Sequence, residues 1–410
     1  MNSNDVHMKA AKTYPLHSQT HATPTRVFKG AKQHPTLSGT FIPDQVNNDI
    51  KTRTTILQSP ISSVNASMLN GGTLDIRVER GVIDLITSAY VKIGVTNDTG
   101  ASATIAPSPF LINKIDIFAA NSAQLLTTIY AQEIWLSLAL LSQQEFEQLT
   151  TLFGTNANYA TTGTVLASGV STSFYVPIYN ILSTSNLYLS GLKGELIIKL
   201  YFNPTSLTHL AGSLVHTDSI QLLLKGYREP QKVKDQRMSL YSGKYLIPVI
   251  TNQRMNQVIT LAASTSYSIL LSGLKGLIGG IFFTMRNAVI TGATQGTYYL
   301  EFDQLDVQNA DGSSLLGFYK RPIAERGLDS CEMFNNRMTF NSNFVYIGFA
   351  ENIVNDVITG SNSGMEVFNG FEKLVFTTSS AIAPAAYQID IFALTHQALV
   401  INSNTIIATQ

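Results

Sequence analysis

One cysteine, Cys331, occurs in the whole chain of 410 residues. That excludes an intrachain disulfide and any cysteine-based zinc centre as the source of stability. Charge is scarce too: charged residues make up 13%, about half the usual share. Lys+Arg and Asp+Glu both number 27, so the basic excess of a general nucleic-acid binder is missing and no sequence-specific nucleic-acid binding is expected. Long apolar runs are also lacking. LLSGLKGLIGGIFFTM (270–285) is interrupted by Lys275 and falls short of a bilayer span, and MNSNDVHMKAAKTYPLHSQ lacks the apolar centre of a secretion signal. The expectation is a soluble chain made in a reducing compartment. No Walker-type loop, HExxH or GxSxG occurs, and His209, His216 and His396 are scattered without ligand spacing. Neither catalysis nor a cofactor is expected.

What is present is apolar sequence at 44%, enough for packed cores, in a chain too long for one typical core and comfortable for two. Polar uncharged residues must cover much of the surface, so large protein–protein contacts can form with little charge to desolvate. Residues 1–49 stand apart. They carry Lys9, Lys12, Arg26, Lys29 and Lys32, four of the seven histidines and four prolines, with no apolar period. This segment reads as an extended basic arm that orders on a partner; its composition is equally compatible with a solvated tail.

Beyond residue 50 short alternating segments dominate, bounded by Gly, Asn, Pro and Ser. TLDIRVE (73–79), SAYVKIGV (88–95), INKIDIF (112–118), TSFYVPI (172–178), ELIIKLYF (195–202) and SIQLLLKGY (219–227) form a first series. YLIPVI (245–250), TSYSILLSG (265–273), GIFFTMR (280–286), TYYLEFDQLDVQ (297–308), NFVYIGFA (343–350), EKLVFTT (372–378) and YQIDIFAL (387–394) form a second. A single helix is expected at 131–153, with Ile134, Leu138, Leu141 and Phe146 on its apolar face. KGYREPQKVKDQRMSLYSGK (225–244) has a linker's composition and places a boundary near 238. The expected domains are therefore 50–238 and 239–410.

The two series look like one fold written twice. IDIFAANSAQLLTTIY (115–130) and LDVQNADGSSLLGFYK (305–320) share a skeleton, with Asp116 on Asp306 and Leu125-Leu126 on Leu315-Leu316. Upstream, Gly81 matches Gly273. Downstream, Tyr175 matches Tyr346, Leu196 matches Leu374, and SIQLLL (219–224) matches QIDIFA (388–393). Collinear order is the strongest argument for tandem duplication. In each hairpin alternate residues face a core and the aspartate points away from it, which makes Asp116 and Asp306 edge or turn partners.

Other local patterns have bland explanations. Asp98-Thr99-Gly100 resembles an aspartic-protease loop, but that chemistry needs two such carboxylates and the second loop is missing, so a hairpin turn suffices. Asp303, Asp306, Asn309 and Asp311 lack EF-hand spacing and read as a turn. Trp135 reads as a packing residue, and the two SGLKG copies (190–194 and 272–276) as turns.

Two sets of about eight short antiparallel strands suit a pair of jelly rolls. At this point FYVPIYNILSTSNLYLSGLKGELIIKLYF (174–202) and the C-terminal GMEVFNGFEKLVFTT…YQIDIFALTHQALVINSNTIIATQ resemble the barrel-closing strands of double jelly-roll major capsid proteins. That family coats tailless icosahedral double-stranded DNA viruses, and the resemblance covers residues 50–410 in layout. It implies an all-β protein of two tandem jelly-roll barrels with one helix and an extended arm. It also implies a structural subunit of a virion, made in the host cytoplasm and assembling as homotrimers that contact neighbouring capsomers and penton or other minor capsid proteins. The arm would lie on the inner side, against a neighbour or an internal viral membrane. The chain lacks the tower insertions of the eukaryotic members, which favours a bacteriophage or archaeal virus. The runner-up is a two-domain β-sandwich that binds carbohydrate or serves as a spike.

Overall fold

The computed structural model describes residues 52–65, 67–79, 81–98, 100–119, 124–137, 148, 151–154, 163–178, 188–192, 194–212, 215–240, 245–289, 302–315, 345–349, 366–402 and 405–408. The arm residues Lys9, Lys12, Arg26, Lys29 and Lys32 lie outside them, as does Leu316.

In the first half the strands are β1 (Thr52–Gln58), β2 (Thr73–Val78), β3 (Leu85–Asn97), β4 (Ala103–Ile105), β5 (Ile112–Ala119) and β6 (Gln124–Tyr130). There follow β7 (Thr164–Leu166), β8 (Val170–Ile178), β9 (Leu196–Phe202), β10 (His209–Gly212) and β11 (His216–Arg228). The second half has β12 (Tyr245–Leu261), β13 (Ser266–Leu270), β14 (Gly276–Asn287), β15 (Phe302–Gln308) and β16 (Val345–Gly348). It closes with β17 (Glu366–Phe368), β18 (Lys373–Thr378), β19 (Ala385–Asn402) and β20 (Thr405–Ala408).

The pairing of these strands answers the question of duplication. One sheet of the first half runs β1-β11-β3-β8 and faces another that runs β2-β9-β5-β6. In the second half the corresponding sheets run β12-β19-β14-β16 and β13-β18-β15, and every pairing is antiparallel. Position for position the orders agree: β1 pairs with β11 as β12 does with β19, β11 with β3 as β19 with β14, and β2 with β9 as β13 with β18. This is the double Greek key of a jelly roll, present twice. The counterpart of β6 is not among the described residues.

Register refines the alignment read from the sequence. Gln221 faces Lys92, and Asp390 faces Thr284. Lys92 and Thr284 have the same separation as Gly81 and Gly273, so that match and the match of SIQLLL with QIDIFA agree. Tyr346 pairs with Phe282, whose counterpart Tyr90 pairs with Pro177. Tyr346 therefore corresponds to Pro177 and not to Tyr175. The two-residue slip keeps the same face of the strand, which is why alternation could not detect it.

Each half has its own core. Leu74, Ile76, Val91, Ile93, Ile198 and Leu222 belong to the first, and Leu261, Ile281, Phe283, Leu374, Phe376 and Ile391 to the second. The extra strands β10-β4-β7 form a small third sheet on the first barrel. The expected helix begins on time as α1 (Ala131–Ser137) and is helical again at 151–153; Leu138, Leu141 and Phe146 lie outside the described residues. Ile134 is buried, as is Trp135, whose ring centroid is 5.3 Å from that of Phe110.

The segment with a linker's composition contains helix α2 (Gln231–Leu240). Low apolar content hid it, but Val233 is buried and Lys234 Nζ lies 2.9 Å from Asp84 Oδ1. Asp84 also accepts the Glu229 N–H at 2.7 Å and the Ser190 hydroxyl, so one buried carboxylate fastens α2 to the first barrel. Just upstream, Gly226 sits at a bulge where an added Cβ would be 1.9 Å from the Leu85 carbonyl. Only glycine lets β11 pass there.

Candidate functional site

The paired hairpins place their aspartates with care. Asp116 on β5 is buried, accepts the Thr128 hydroxyl at 2.7 Å and meets Lys114 Nζ at 2.7 Å. Asp306 on β15 is buried, accepts the Ser314 hydroxyl at 2.6 Å and the Gln308 amide at 3.0 Å. Both face away from their cores and both bond the returning arm of the hairpin. Asp116 is not on an edge strand, because β5 lies between β9 and β6. Leu126 is buried and Leu125 exposed, as alternation requires; the Leu315 N–H bonds the Val307 carbonyl at 2.8 Å.

Asn309–Gly312 of the calcium-like set form a turn after β15, which carries Asp303 and Asp306. Asn97 donates to the carbonyls of Ala101 and Leu166, both at 2.8 Å, while Asp98 pairs with His216 at the surface. Asp311 accepts the N–H and hydroxyl of Ser313, and these bonds hold its carboxyl below the usual range. Among the described residues no group of His, Cys, Asp or Glu is arranged to hold a metal ion.

The most concentrated chemistry lies between the barrels, at residues that sequence reasoning did not single out. β6 runs directly into α1, and Glu133 at the third helical position accepts the Tyr130 N–H at 2.7 Å. This is the carboxylate half of a capping box. Its other oxygen accepts the side-chain amide of Asn252 on β12, so the bond joins the two barrels. Burial, the largest influence, pushes the Glu133 carboxyl up to about 7, against the opposing effects of its hydrogen bonds and of Arg254. Arg254 lies 4.3 Å from the centre of the Tyr130 ring and 5.7 Å from that of Phe392, and its Nη2 is 2.9 Å from Asp390 Oδ1. On the other side Arg286 Nε is 3.0 Å from Asp390 Oδ2, and Gln388 donates to Oδ1 at 3.0 Å. Asp390 is fully buried. Two guanidinium groups around one carboxylate compensate its desolvation, and Tyr130 of the first barrel covers Arg254.

These residues lie on the outer face of the sheet β12-β19-β14, the face turned away from the second core. Phe282, Thr284, Arg286, Asp390, Phe392 and Leu394 are all buried there. In a sheet with one face on a core, the other is normally wet. Charged residues within apolar strands (QIDIF, FTMR) were the one available sequence signal.

No family model and no curated protein matches the chain. Solved structures do. PBCV-1 VP54, fitted into a reconstruction of the virophage Sputnik, matches at a TM-score of 0.69 and 14% identity, over 88% of this chain and 97% of that one. The Faustovirus major capsid protein matches at 0.59 and 11%, over 85% and 90%. The mavirus major capsid protein matches at 0.50 and 11%, over 87% and 90%. With both barrels, their strand orders and these likenesses together, the chain carries the double jelly-roll fold seen in the major capsid proteins of large icosahedral viruses.

Proposed function

We propose that this chain is a structural subunit of an icosahedral virus shell, a major capsid protein that assembles as a homotrimer and has no catalytic role. The carrying observation is an asymmetry between the barrels. The outer face of β14 and β19 is buried at Phe282, Thr284, Arg286, Asp390, Phe392 and Leu394, and Tyr130 and Glu133 of the first barrel reach Arg254 and Asn252 on the neighbouring β12. The same face of the first barrel leaves Tyr90, Lys92, Gln221, Leu223 and Lys225 half-exposed. A second copy that sets its own second barrel there repeats the relation found within one chain. Three copies then close a ring of six barrels, giving a threefold object a hexagonal outline that tiles a shell.

Residues 50–238 and 239–410 are the two barrel units of this reading. The arm 1–49 lies on the inner side, where Lys9, Lys12, Arg26, Lys29 and Lys32 contact neighbouring capsomers, minor capsid proteins or the anionic lipid of an internal membrane. A carbohydrate-binding spike fits less well. Such a site needs clustered exposed aromatics, and Phe371 is the one exposed aromatic among the residues whose exposure is described.

Light scattering coupled to size exclusion, with negative-stain microscopy, tests the proposal. Hexagonal particles with the mass of three chains are expected; a monomer that binds a glycan array overturns it. Deleting residues 1–40 is expected to leave trimers intact and to stop shell assembly, and normal particles from the truncated chain would refute the role of the arm.

A further inference from the structure

The contact between the barrels holds a carboxylate that forms no ion pair among the described residues. Glu133 is 5% exposed, and its two oxygens accept from the Tyr130 N–H at 2.7 Å and from the Asn252 amide. Both donors are neutral. Arg254, the cation whose charge acts on Glu133, is engaged by Asp390 at 2.9 Å and by the Tyr130 ring. An anion here would rely on two neutral donors and on a cation shared with Asp390 to offset its lost hydration, whereas a neutral acid costs little to bury.

The Asn252 amide supplies a second observation. Its Oδ1 is buried without a hydrogen-bond partner among the described residues. Half a turn about its terminal bond would bring Oδ1 to the place of Nδ2, where it could accept a proton carried by Glu133. The pair therefore has a bonded arrangement for either protonation state. In the neutral state it also removes the uncompensated charge.

Other titratable groups on the elements around α1 do not take over this role. β5 carries Lys114 and Asp116, paired with each other at 2.7 Å. β6 carries Tyr130, β8 carries Tyr175, and the turn Ser108–Leu111 carries none. Across the contact β12 contributes Arg254, with Asp390 of β19 and Arg286 of β14 behind it.

We propose that Glu133 and Asn252 form a proton-operated latch between the two barrels, closed while the carboxyl is neutral and loosened as it ionises with rising pH. Since the latch joins α1 to β12, it governs how firmly the barrels are held at one angle, and hence, on the shell reading proposed above, how a shell built from them responds to rising pH. The direction follows from linkage. The folded chain keeps this proton up to about 7, while an unfolded chain releases it near the ordinary 4.5. The contact is therefore strongest below that window and weakens as pH rises through it.

Hydrogen exchange of the full-length protein, followed by mass spectrometry at about pH 6 and about pH 8 and corrected for intrinsic rates, reads the latch directly. Segments 130–137 and 250–256 are expected to lose about tenfold in protection at the higher pH, while β2 serves as an unaffected reference. Glu133→Gln, a neutral mimic of the acid, is expected to keep full protection at both. Equal protection of the wild-type segments at both pH values overturns the proposal, as does the same loss in Glu133→Gln. Should that variant not fold, the wild-type pH profile decides alone: protection of the two segments that falls as pH rises and levels off above about 7 supports the latch, and a flat profile sinks it.

Discussion

Two sheets of the same topology, β1-β11-β3-β8 and β12-β19-β14-β16, have met different fates on their outer faces. In the first barrel that face alternates in the ordinary way: Leu222 and Leu224 are buried inside, while Gln221, Leu223 and Lys225 are half-exposed outside. Lys225 Nζ lies 5.3 Å from the centre of the Tyr90 ring, a surface contact of small worth. In the second barrel β14 and the Asp390–Leu394 part of β19 are buried on both faces, and Gln221 is replaced at the matching position by Asp390 with its two arginines. The lesson is that one strand order can serve as an outer wall or as an inner partition. The difference lies in a few polar residues whose charges must be matched once water is removed.

Removing the acceptor from the partition is expected to have the largest effect. Asp390→Ala leaves Arg254 and Arg286 facing each other without a counter-ion, at a cost of about 3–5 kcal/mol. Chemical denaturation should show it, and Gln221→Ala at the matching position should change stability by less than about 0.5 kcal/mol. Equal costs at the two positions would erase the distinction between wall and partition. Next in size is Gly226→Ala, which forces a Cβ against the Leu85 carbonyl and is expected to cost the first barrel about 1–3 kcal/mol. Protection from hydrogen exchange should fall in β11 and β3 and not in β14. The smallest effect on stability, within about 0.5 kcal/mol, is expected from Leu223→Glu on the half-exposed wall. On the proposed assembly that substitution should nevertheless turn trimers into monomers in light scattering, because a charge would enter the contact proposed between copies. Trimers that survive it place the interface elsewhere.

Much of the fold was legible in the chain because alternation, turn residues and collinear matches are local signals. Strand centres such as ELIIKLYF and GIFFTMR were readable for this reason, as was the start of α1. Register was not: matching Tyr346 to Tyr175 missed by two residues, since a slip of two preserves every facing. Helix α2 was missed because its composition is polar, and the contacts that hold it among the described residues, the buried Val233 and Lys234 reaching Asp84, leave no periodic trace.

The candidate site was the least legible part. Glu133, Asn252, Arg254, Arg286 and Asp390 are separated by up to 257 positions in the chain (390 − 133 = 257), and no spacing rule connects them. The amino-acid order alone determined that the protein is β-rich, that it contains two like halves, and where most of its strands run, because those properties follow from neighbours along the chain. Tertiary structure alone decided which sheet became a partition and which carboxylate lost its water. Burial and dielectric are set by what packs against a residue from far along the chain.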